Sequence, residues 1–237
     1  MTKLTTRLFA LTLPVICIAS CGRGDTDADK AKAQDAARTQ LESLQKTAAQ
    51  TAQTYKEMDN DALVKKLVEQ STARREPFNS LAYRELSGRK DVNADALASI
   101  VRDTNNGNAL LPLLLLRKLN DKAYLDLPAE QRANVLTDAL RTSKFFNTWG
   151  LPNGYLEDAS KAMLETGSSA IPALKQLLTD TRPAPFFGGQ VAMEARRYQY
   201  RVCDFALFFL EKLQGNANFA MPVSPAERDA LIRDMLK

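Results

Sequence analysis

The sequence predicts an all-α, helical-repeat fold behind a short targeting segment. Three observations point to it. Beyond residue 30, apolar residues recur three and four positions apart, and no alternating run of strand type stands out. A pattern of two branched apolar residues, one variable residue and an aspartate returns at Ile100–Asp103, Val135–Asp138, Leu177–Asp180 and Leu231–Asp234, with a degenerate copy at Leu67–Gln70. Between these copies, apolar segments stop just short of Gly88, Asn120, Gly167 and Gly215, residue types that tolerate the left-handed conformation ending many helices.

Residues 1–20 begin with Lys3 and Arg7, continue through the apolar run Leu8–Ile18 and end in Ala19 and Ser20. This order is that of a signal peptide, and the run is too short to span a bilayer, which takes about 20 residues. Ile18-Ala19-Ser20-Cys21 resembles the lipobox of bacterial lipoproteins. The resemblance implies cleavage between Ser20 and Cys21, lipid on the Cys21 thiol and acylation of the new amine. Several acyl chains on one residue anchor firmly to a membrane. Gly22 rather than Asp follows the cysteine, which under the family's sorting rule implies the outer membrane, with the body facing the periplasm.

Residues 21–30 are small and polar, as in a flexible tether. Residues 31–58 contain neither Gly nor Pro and are rich in Ala, Gln and Lys, which predicts a helical spacer. Ala37, Leu41, Leu44, Ala48, Thr51, Tyr55 and Met58 keep a four-three spacing, a heptad seam weakened by its Ala and Thr members.

Over residues 60–237, each aspartate-ended segment reads as a first helix and each Gly- or Asn-ended segment as a second, giving about four and a half helix pairs. Two helices per unit resemble HEAT-type repeats. The match is closest over Ala170-Ile171-Pro172-Ala173-Leu174 to Asp180, followed by Tyr200-Arg201-Val202-Cys203-Asp204, Ala206, Leu210 and Leu213. Here Pro172 falls early in a first helix and Ala206 lets paired helices approach. Cys203 stands where the family's usual arginine would be. The resemblance implies a solenoid. The repeated aspartates, near the ends of first helices, oppose the helix dipole and call for partners such as turn amides or arginines of an adjoining unit.

Two irregular inserts lengthen the later units: Phe145–Tyr155, and Thr181–Gly189 running toward Tyr198. Both join a first helix to its second, so stacking units would bring them to one edge. Phe146, Trp149, Tyr155, Phe186 and Phe187 make this the candidate binding edge. Exposed, they are the amphipathic anchors typical of interfaces; folded inward, they close the end of the helix pairs.

Composition excludes several chemistries. The chain has no histidine, which removes Ser-His-Asp and Cys-His catalysis and histidine metal sites. Once Cys17 leaves with the signal and Cys21 carries lipid, Cys203 has no thiol partner, so neither a disulfide nor a thiolate metal site is expected. Its apolar neighbours predict burial. No Lys-Ser or Lys-Thr follows Gly188-Gly189, so there is no phosphate loop. The formal charge of +4 falls further when Lys3 and Arg7 are removed, which argues against nucleic acid as a partner. No cofactor is implied. The expectation is a non-catalytic, lipid-anchored binding or scaffold protein of the cell envelope with a protein partner. The alternative is a carboxylate-dependent glycan hydrolase, with Glu157 and Asp158 or Asp121 and Asp126 as acidic pairs, the one scheme needing neither histidine nor metal.

Overall fold

The computed structural model describes residues 27–237, with side chains from residue 31. The signal peptide, the cleavage site at Ser20 and Cys21 and the tether lie outside the described residues. The described chain is all-helical: twelve α-helices and three 3-10 turns, with two isolated β-bridges and no strand. None of the described helices is long and apolar enough to cross a membrane. The chain divides into two units, Met1–Gln50 and Thr51–Lys237.

The described part of the first unit is the start of α1 (Asp27–Glu57), the helix predicted by the run without Gly or Pro. Residues 31–50 are exposed, including Leu41 and Leu44 of the heptad seam. In the second unit, Tyr55 of the same helix and Met58 just beyond its end pack against the core, and the Tyr55 hydroxyl accepts a hydrogen bond from Gln70.

The second unit contains the first helices α2 (Asn60–Thr72), α4 (Ala94–Thr104), α7 (Ala129–Thr142), α9 (Ile171–Leu177) and α12 (Pro225–Met235). The second helices are α3 (Leu81–Leu86), α5 (Leu110–Leu119), α8 (Asp158–Leu164) and α11 (Val202–Leu213). α2 packs on α3, α4 on α5, α7 on α8 and α9 on α11. The aspartate-ended segments thus fall in or at the end of first helices. Caps explain several starts: Asp59, Ser80 and Asn93 each accept a backbone N–H of the first turn with a side-chain oxygen. Pro172 sits in the first turn of α9, where its missing N–H costs nothing.

Two helices form the centre because they are apolar all round. α5 buries Leu111 and Leu113 to Leu116, and touches α2, α4, α7 and α8. α11 buries every residue from Val202 to Leu210, including Ala206, and touches α8, α9 and α12. The short α6 (Asp121–Leu125) follows α5 and is capped by Asn120. α10 (Gly189–Tyr198) occupies the part of the second insert expected to be irregular. Beyond Gly189 it has no Gly or Pro, and only Ala192 and Ala195 are buried.

Of the repeated aspartates, Asp138 and Asp180 meet turn amides, and Asp138 also a distant arginine, as expected, whereas Asp103 and Asp234 meet only side chains three or four residues away. Within α7, Asp138 accepts the Gly107 amide at 2.8 Å and lies 3.5 Å from Arg74, both from preceding units, and pairs with Arg141. Burial pushes its carboxyl up, but these donors outweigh burial and its pKa is lowered. Asp180 is likewise lowered, chiefly by Arg182, whose Nε donates at 2.9 Å. Asp234 pairs with Lys237, and Asp103 accepts the Ser99 hydroxyl.

Candidate binding edge

The first insert turns sharply at Gly150, whose φ of 76° is costly for any side chain, and a Cβ there would lie 2.8 Å from the Glu157 amide. This turn sets Gly150 against Leu156 and tucks Trp149 beneath it. Trp149 is fully buried, packs edge-on against Phe209 and donates its indole N–H to the Ser143 hydroxyl at 3.0 Å.

The two inserts lie side by side and are joined by hydrogen bonds. Phe146 N–H donates to the Pro185 carbonyl at 2.9 Å. The Asn147 amide grips the backbone of Phe187 twice, donating to its carbonyl at 2.9 Å and accepting its N–H at 3.1 Å. On its other side the second insert pairs with the residues leading into α11, through Ala184 N–H to the Tyr200 carbonyl and Val202 N–H to the Arg182 carbonyl. Asn153 treats Met221 as Asn147 treats Phe187, at 2.6 and 2.7 Å, and so ties the first insert to the approach to α12. Two asparagines thus fasten one loop to two remote segments.

The five aromatic residues of the candidate edge divide. Phe146 and Trp149 are fully buried, and Phe146 packs against Phe205 and Phe186. They are core residues of the edge, because the inserts fold against α11 and leave their inner faces no solvent. Phe186 and Phe187 are half-buried, and Tyr155 is 42% exposed. Two residues outside this set complete the surface. Phe145 is 42% exposed and meets Phe187 edge-on at 5.4 Å between ring centres. Phe78, in the 3-10 turn Pro77–Asn79, lies 4.9 Å from Phe187 on its own account. Phe145 was discoverable as the outward neighbour of an inward Phe146; Phe78 carries no sequence signal, since it sits alone in a short turn. Beyond Phe186, a groove of about 420 Å³ opens between the second insert and α10, lined by Pro183, Pro185, Phe186, Ala195 and Tyr200.

Beside the cluster, Glu76 is buried, and burial pushes its carboxyl up to about 8 although the Thr148 backbone amide pulls it down. It lines a cavity of about 20 Å³ with Arg74, Arg75, Gly107 and Ser143. Cys203 is buried as expected, and burial pushes its thiol up to about 12, too high for a nucleophile at neutral pH. Among the described residues, no group of acidic or cysteine side chains could hold a metal ion. Of the acidic pairs, Asp158 is half-exposed and lies 3.7 Å from Arg117. No protein-family model, curated protein or solved structure matches the chain.

Proposed function

We propose that the protein is a lipid-anchored binding or scaffold module of the bacterial cell envelope, acting without catalysis, with a HEAT-like solenoid as its body. Support for the solenoid comes from the recurrence of first and second helices in the order the sequence repeats them, with α2, α4, α7 and α9 each packed on its second. Contacts of α5 with both α2 and α8, and of α8 with α11, are those expected of stacked units. Lipid on Cys21 would hold this body to the outer membrane on its periplasmic side. The observation that carries the binding reading is the joined pair of inserts, which presents Phe145 and Phe187 at the surface on a hydrogen-bonded frame. Rigid, half-buried aromatics on a fixed frame are the anchors from which interfaces draw most of their energy.

The hydrolase alternative needs a proton-donating carboxyl in a cleft with a second carboxylate. Glu76 has the raised pKa of such an acid, but its cavity of about 20 Å³ has room for about one water and not a sugar ring. This weighs against it. Growth of cells with a radioactive fatty acid tests the anchor: label in the wild-type chain and none in Cys21→Ser is expected, and an unlabelled wild-type chain sinks the lipoprotein reading. Crosslinking in intact envelopes tests the binding role.

A further inference from the structure

The aromatic cluster has a charge asymmetry that the binding reading does not require. Its three rings come from three segments, Arg74–Phe78, Asp138–Phe145 and Asp180–Phe187, brought together by the contacts of Phe187 with Phe78 and Phe145. These segments carry five cations: Arg74, Arg75, Arg141, Lys144 and Arg182. Their acids are Asp138, Asp180 and Glu76. Asp138 is occupied by Arg141, Arg74 and the Gly107 amide, and Asp180 by Arg182. Glu76 is buried and stays protonated through neutral pH, so it offsets no charge.

The cations also face outward. Arg75 and Lys144 are exposed, and the side chains of Arg141 and Arg182 are more than half exposed even while paired. Arg182 reaches back to donate to the Arg141 carbonyl, which ties the second insert to the last turn of α7. The three segments that carry the rings therefore expose more cationic than anionic side chain.

We propose that the cluster of Phe78, Phe145 and Phe187, with the exposed cations Arg75, Arg141, Lys144 and Arg182 of the same three segments, docks an acidic segment of a partner protein that packs an aromatic or aliphatic side chain against the rings. The proposal rests on the binding-edge reading and specifies its partner. Charge complementarity selects the acidic partner, since opposite potentials raise encounter rates and exclude like-charged competitors. Burial of the rings selects a protein over an anionic lipid surface. A membrane anchor inserts apolar side chains some 5–10 Å below the headgroups, whereas Phe78 and Phe187 are half-buried and Phe145, 42% exposed, is held edge-on against Phe187.

The test uses the full mature chain and a short fluorescein-labelled peptide of alternating glutamate and phenylalanine, with a lysine–phenylalanine peptide as its opposite. At low ionic strength the acidic peptide is expected to bind at least about tenfold more tightly than the basic one, with the difference shrinking as salt is added. Phe145→Ala should lose the binding. Arg75→Glu with Lys144→Glu, both exposed and harmless to the core, should melt with the wild type and reverse the preference. Equal binding of the two peptides, or a preference unmoved by the charge reversal, overturns the proposal. So does equal or tighter attachment to vesicles of equimolar phosphatidylglycerol and phosphatidylcholine that the same variants abolish, because the patch would then face lipid. Benzoylphenylalanine in place of Phe145, photolysed in intact envelopes, separates the two levels. A protein adduct with no peptide charge preference removes the acidic partner and leaves the binding edge; absence of an adduct removes both.

Discussion

Arg228 Nε lies 3.0 Å from Asp204 Oδ1, and neither side chain reaches solvent. The Nε–H is not aligned for a hydrogen bond, so the attraction is Coulombic. The other guanidinium nitrogens donate to the carbonyls of Pro222, Val223 and Tyr198 at 2.7–2.9 Å, and the group sits over the Tyr200 ring. Asp204 is held from the other side by Arg201, which also bonds Asp229 of α12. Four charges thus pin the last helix to α11. Removing Asp204 leaves the buried Arg228 with carbonyl acceptors but no counter-charge, which costs about 3 to 5 kcal/mol, whereas removing Arg228 leaves Asp204 its bonds to Arg201 and costs less. Arg228→Leu and Asp204→Leu should each lower the urea midpoint accordingly, and the double variant should lose less than their sum.

Glu76 gives stability a pH dependence of defined sign. Its folded pKa is about 8, above its ordinary value of 4.5, so the folded state holds a proton that the unfolded chain releases between these limits. Stability is therefore highest below pH 4.5, falls as pH rises to about 8, and is then level with respect to this group. The full effect is roughly 5 kcal/mol. Glu76→Gln removes the titration. Urea unfolding across this range should show a flatter profile for the variant, and a variant more stable than wild type at pH 8.

Gly107 marks a close approach of its turn to α7. A Cβ there would lie 2.7 Å from the Ala139 amide nitrogen and 2.9 Å from its Cα, and would also strike Arg74 Nη1. Backbone cannot yield as a side-chain tip can. Gly107→Ala should therefore separate this turn from α7, weaken the Gly107–Asp138 hydrogen bond and cost about 1 to 3 kcal/mol. Thermal melting checks it, and Gly188→Ala, where a Cβ meets nothing within 4 Å, measures backbone strain alone.

At the binding edge, buried and exposed aromatics should part company. Trp149→Ala opens a cavity and leaves Ser143 without its indole donor, so it should cost about 3 to 5 kcal/mol. Phe145→Ala should melt within about 1 kcal/mol of the wild type and lose crosslinked partners. A Phe145→Ala chain that keeps every partner excludes this edge as the contact.

Sequence alone placed most helices of the second unit and the alternation of their two kinds of ending, but not α6 or α10; of the four residues expected to end helices, Gly167 and Gly215 take the left-handed conformation and Gly88 and Asn120 do not. Those features are local: a 3.6-residue period and a Gly beyond a last turn are read within a few residues. It also bounded the chemistry, because a chain without histidine cannot acquire one by folding. The fate of adjacent residues was another matter. Phe145 and Phe146 have the same composition and the same loop, yet one faces solvent and the other is sealed against Phe205. That choice was made by Pro185 and Phe187, some 40 residues away, through hydrogen bonds with Phe146 and Asn147 that no local pattern encodes. Arg228 reads as surface charge on a polar helix, and only the meeting of α11 with α12 made it a buried partner of Asp204. Burial and pairing depend on which distant segments come together, and so belong to the tertiary structure.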